Sequence, residues 1–205
     1  LIILGGNMIN IFISLNKTIS LGVLLTLGFL VYYFSLGNSF DIYFWQFIFR
    51  YLHVFAGIVW IGLLYYFNFV QIPNMPKIPD DQKPAIGKVI APAALWYFRW
   101  GAMITLISGL ILAHLNGYLL SALLLGISVS NPRDTVIGIG MWLAIIMWFN
   151  VWFVIWPNQK KALGIIEATA DQKAMSVKRA MLFSRANTLL SIPMLFAMVS
   201  AQNIW

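Results

Sequence analysis

The sequence has no cysteine. That absence excludes disulfides, thiolate metal sites, iron–sulfur clusters and the C-x-x-C-H attachment of a c-type haem. Charge is scarce too: Asp, Glu, Lys and Arg make up 9% of 205 residues, against about 25% in a soluble domain. With 61% hydrophobic residues, one class remains, an all-α polytopic membrane protein. No glycine-rich phosphate loop, GxGxxG, Ser-His-Asp pattern or pair of intramembrane carboxylates occurs, and the acidic residues fall in loops or near span ends. Catalytic residues therefore stay unknown at this level, and any chemistry falls to a cofactor or a partner. The net charge of +7 sits in short loops between apolar runs, which points to lipid-surface placement and not to nucleic acid.

What is present is long apolar runs. Five are long enough to span a bilayer, at about residues 18–36, 43–70, 93–125, 135–156 and 181–203. They form a single transmembrane helical domain over residues 1–205, with a short amphipathic surface helix over 158–180. The connections alternate in charge. Lys17, Lys77, Lys83, Lys88, Lys160, Lys161, Lys173, Lys178 and Arg179 flank one side, against Arg133 alone on the other. The positive-inside rule then puts the N-terminus in the cytoplasm and the C-terminus outside, in a bacterial inner membrane. The chain begins at Leu1, Met8 is a second candidate initiator, and no cleavable signal peptide is expected.

Only two histidines occur, both inside spans, where ionisable residues are costly and are functional suspects by default. On the boundaries above, His53 and His114 each lie roughly 15 Å from the outer end of neighbouring antiparallel helices. Two imidazoles at one depth suit a bis-histidine haem b. Gly57 and Gly117, one turn from each, offer clearance for a macrocycle, and Arg50 lies one turn from His53 as a propionate partner. A plainer reading is that the histidines are interhelical hydrogen-bond partners and the glycines ordinary helix-packing residues.

A second group lies toward the other end of the bundle. "WYFRWGA" sets Arg99 among aromatics, and "FSRANTLLSIPMLF" carries Arg185 and Asn187. Two guanidiniums, an amide and indoles suit a pocket for an anionic or planar heterocycle. Alternatively, the arginines snorkel to headgroups while small polar residues hold helices together. Met194 and Met198 read either as a thioether ligand or as packing.

Taken in order, "LHVFAGIVWIGLLYYFNF", "WYFRWGAMITLISGLILA", "WPNQKK" and "RANTLLSIPMLFAM" resemble the membrane domain of bacterial membrane-bound urate oxidases (PuuD-type urate hydroxylases) from about Arg50 to Met198. In that family a cytochrome c domain commonly follows the membrane domain. These 205 residues contain no such domain, so the resemblance implies a separate c-type cytochrome or terminal oxidase as electron acceptor. It also implies a urate-like purine as substrate, assigned to Arg99, Arg185 and Asn187. The first motif alone resembles HemJ-type protoporphyrinogen oxidases, which bind haem b through histidine. The combined expectation is a haem b redox protein carrying electrons from a urate-like purine or a quinol to an outer-side acceptor. A porphyrinogen oxidase and a haem-free accessory subunit of a respiratory complex are the alternatives.

Overall fold

A computed structural model describes residues 9–127 and 130–205. Met8 and positions 128–129 of the Arg133-bearing loop lie outside the described residues. Those described are helical, with no strand among them. Five helices are long and apolar enough to cross a membrane: α1 (Leu15–Ser35), α2 (Ile42–Lys77), α3 (Lys83–Leu115), α5 (Pro132–Ala162) and α6 (Ala170–Ser200). A short helix, α4 (Leu119–Leu123), follows α3. The expected all-α class with five spanning helices is therefore found.

The chain divides into two compact units, residues 1–44 and 45–205. In the first, α1 has no buried residue. Its end turns at Gly37, whose φ of +83° favours glycine. The turn is closed by packed rings: Phe34 and Phe40 lie 4.5 Å apart, and Phe40 and Phe44 5.0 Å apart. The Asp41 carboxylate then accepts the Phe44 N–H, satisfying one free donor at the start of α2.

The second unit packs around Trp60, Leu64, Phe98, Met147, Val151 and Ile155, all nearly inaccessible. Where α2 crosses α3, a Cβ on Gly101 would lie 3.3 Å from the Trp60 amide nitrogen and 3.5 Å from the Ala56 oxygen. The missing side chain lets the two backbones approach, the usual way apolar helices gain contact in lipid. A smaller cluster of Ala113, Ala122, Ile137, Met141 and Ala201 seats α4. Here any side chain at Gly138 would run into the Ala122 carbonyl, which is backbone and cannot swing away. Gly138→Ala is thus expected to cost about 1–3 kcal/mol, read as a lower melting temperature of the detergent-purified protein.

Helix ends differ from the hydropathy boundaries for identifiable reasons. α3 stops at Leu115 instead of running to about residue 125, because Asn116-Gly117 closes it. Gly117 takes φ +78°, its N–H donates to the His114 carbonyl at 2.9 Å, and Tyr118 N–H donates to the Ala113 carbonyl at 3.2 Å. This is a Schellman motif, which satisfies the last carbonyls. α6 begins at Ala170, well before residue 181, because Thr169 and Gln172 form a reciprocal capping box. The expected surface helix over 158–180 is accordingly split between the end of α5 and the start of α6. Three π-helical segments lie within the long helices, at Tyr66–Gln71, Ile86–Ile90 and Asn150–Ile155. Such wide turns often accompany functional sites.

Candidate functional site

His53 faces α3 from the middle of α2. Its Nδ1 lies 2.8 Å from the Thr105 carbonyl oxygen. A carbonyl can only accept, so Nδ1 carries a proton, and in the neutral ring Nε2 keeps its lone pair. No side chain at residue 109 blocks this pose: a Cβ on Gly109 would sit 2.7 Å from His53 Cε1 and 2.9 Å from Nδ1. Nε2 has no hydrogen-bond partner among the described residues.

Two cavities meet at this imidazole. One, of about 70 Å³, runs toward Tyr118 and Gln202. The other, of about 450 Å³, lies among α2, α3, α5 and α6 and is lined by Gly57, Tyr65, Met194 and Met198. His53, Trp60, Thr105, Ala144 and Met198 line both. Trp60 is 1% exposed, and its indole N–H is buried with no acceptor. Trp60 and His53 line the same two cavities, and a buried donor without an acceptor is costly.

The other residues expected here divide. Gly57 lines the larger cavity, where a Cβ would make only ordinary contact with Thr105 Cγ2 at 3.9 Å. Arg50 is exposed one turn before His53, and its charge is felt at Tyr118. Burial pushes the Tyr118 phenol up, while the Arg133 and Arg50 charges pull it partly back. Arg133 also lies over the Tyr118 ring, 5.5 Å from its centroid. Cations therefore gather where the smaller cavity ends.

His114 is placed differently. It is the next-to-last residue of α3 and is exposed, whereas His53 lies about 16 Å along α2 from Ile42. On α3, His53 is level with Thr105 and Gly109, one to three turns before His114. His114 lines neither cavity. Gly117 serves the Schellman turn, and a Cβ there would meet nothing within 4 Å. Tested against a bis-histidine haem, the geometry fits on one side only: His53 offers a fixed ring with a free nitrogen, and His114 does not face it.

The second group does not converge. Arg185 is exposed on α6. Asn187 is fully buried, donating to the Met147 carbonyl at 2.9 Å and accepting from Asn150 Nδ2 at 2.8 Å, so both ends of its amide join α6 to α5. The Arg99 guanidinium lies over Trp156, with Cζ 3.3 Å from the ring centroid, and Lys160 approaches the same indole at 5.7 Å. Trp156→Leu is expected to destabilise the bundle by about 1–2 kcal/mol through loss of this cation–π contact, measurable as a melting shift that Arg99→Met largely removes.

Sequence reading missed Thr105, Gly109 and Arg133. The first acts through its backbone, the second through what it lacks, and only Arg133 left a visible sign, as the lone basic residue on its side.

Residues 114–203 match the family model described as urate oxidase N-terminal. The matched stretch begins at His114 and takes in α4, α5 and α6, including Asn187, Met194 and Met198. No curated protein and no solved structure matches the chain. The likeness to urate oxidase membrane domains thus rests on a family model over the second half of the chain as well as on the ordered motifs.

Proposed function

We propose that the chain is the membrane-embedded part of a urate-oxidase-like oxidoreductase, with a haem b held by His53. The observation that carries the reading is the His53 imidazole itself. Its Nδ1–H is bound to the Thr105 carbonyl and its Nε2 is free where two cavities meet, which is how metal-binding histidines are usually oriented. The match of residues 114–203 supports the reaction class.

Bound there, a haem supplies one-electron transfer. The chain's own groups do the rest. The Thr105 carbonyl fixes the tautomer and angle of His53, and Gly109 leaves room for the ring. Arg50 and Arg133 supply cations suited to the propionates. Met194, Met198 and Trp60 keep water from the larger cavity. The acceptor would be a c-type cytochrome or oxidase on the outer side, the side opposite the lysine-rich loops.

The test uses membranes containing the chain and an added c-type cytochrome as acceptor. Urate should be consumed with reduction of the cytochrome, and His53→Ala should abolish both. Haem-loaded membranes that leave urate untouched would remove urate as the donor.

A further inference from the structure

At the end of the bundle carrying the lysine-rich loops lies a third cavity, of about 330 Å³, which shares no lining residue with the two cavities at His53. Its walls are apolar: Phe67, Leu95, Phe98, Ala91 and Met181. Phe67 and Phe98 meet edge to face, with centroids 5.7 Å apart. Into these walls come three polar side chains, Gln71 from α2, Gln159 from α5 and Ser184 from α6. Gln71 Oε1 and Gln159 Oε1 are both buried with no hydrogen-bond partner. Ser184 Oγ accepts from Asn68 Nδ2 at 2.8 Å, which leaves its proton to donate. Gln71 closes one π-helical segment, and Gln159 follows another by one turn.

Two orphaned carbonyl oxygens from separate helices in one apolar cavity ask for a ligand with two donors. The charge of the site narrows the choice. Among the described residues no charged side chain lines the cavity, so an anion would lose its hydration with no cation to replace it. A urate-like purine is an anion at neutral pH and is a poor fit; an uncharged dihydroxy ring is a good one. Placement narrows it further. The cavity is flanked in sequence by Lys77, Lys160 and Lys161, and Val177 on its rim is 53% exposed. A ring seated at headgroup depth can trail an apolar tail past such a rim.

We propose that this cavity binds the headgroup of a membrane quinol, whose two hydroxyls donate to Gln71 Oε1 and Gln159 Oε1. Turning either amide through a half-rotation presents its NH2, so the same two side chains serve the carbonyls of the oxidised ring. That the ring is a quinol rests on the redox reading above; the cavity does not.

The experiment measures binding of a short-tailed quinone and its quinol to the purified full chain in lipid nanodiscs, by equilibrium dialysis. Saturable binding to one site is expected. Gln71→Leu and Gln159→Leu should each weaken it about tenfold. Val177→Trp, at an exposed position that leaves both amides intact, should block entry and weaken binding as well. Absence of quinone binding, or unchanged affinity in both glutamine variants, overturns the proposal. So does saturable binding of a neutral purine that Gln71→Leu and Gln159→Leu both weaken and that neither quinone nor quinol displaces. A colourless preparation that still binds quinol through Gln71 and Gln159 would remove the haem reading and leave this site standing.

Discussion

Asn187→Leu is expected to lower the stability of the helix bundle by about 2 kcal/mol or more. Asn187 has no exposed surface, and its amide makes two interhelical bonds. The substitution removes an acceptor from Asn150 Nδ2, which is buried between α5 and α6 and has no other partner among the described residues. The Met147 carbonyl suffers less, because it also accepts the Asn150 backbone N–H. Interhelical hydrogen bonds in membranes average under about 1 kcal/mol each, so the orphaned amide, more than the lost bonds, sets the size of the effect. This assigns the damage a remedy. Asn150→Leu combined with Asn187→Leu should be more stable than Asn187→Leu alone, with a coupling of about 1 kcal/mol in a double-mutant cycle. Equal or additive losses would show that the pair is not a closed interhelical clamp.

Gly109→Val should act on function as strongly as Asn187→Leu acts on stability. Even the first carbon of a side chain at residue 109 would meet the His53 ring well inside contact distance, at 2.7 Å. The ring must then turn away and give up its bond to the Thr105 carbonyl, or the helices must part at a crossing already held close by Gly101. Loss of an orienting partner typically weakens metal binding by about ten- to a hundredfold, so haem retention should fall by that order. Thr105→Val is the informative control. It removes the hydroxyl, which bonds only to the Gly101 carbonyl, and keeps the backbone oxygen that His53 uses. Haem retention should be unchanged in Thr105→Val. A Gly109→Val protein that keeps its haem would show that the His53 pose does not matter.

The five spans were legible because a bilayer imposes a length and a composition that few other structures share. Their ends were not, where capping outweighs hydropathy. The run through residues 116–125 is apolar enough to continue α3, yet Asn116-Gly117 carries a stop signal that a hydropathy window averages away. That single turn undoes the equal-depth argument for His53 and His114, since it leaves His114 at a helix end. His53 itself was legible, as a costly polar group in an apolar run. Its support was hidden, because a backbone carbonyl and an absent side chain leave no pattern in sequence. Asn187 shows the opposite error: an amide that reads as a ligand contact is consumed by helix packing. The cavity of Gln71 and Gln159 joins residues far apart in sequence, brought to one level by helices that each contain a π-helical segment.

Whether His53 holds a haem is read from the visible spectrum of protein purified from haem-replete cells. A b-type Soret and α band are expected, abolished by His53→Ala and left largely in place by His114→Ala. A folded but colourless protein, or a spectrum unchanged in His53→Ala, would contradict haem ligation by His53.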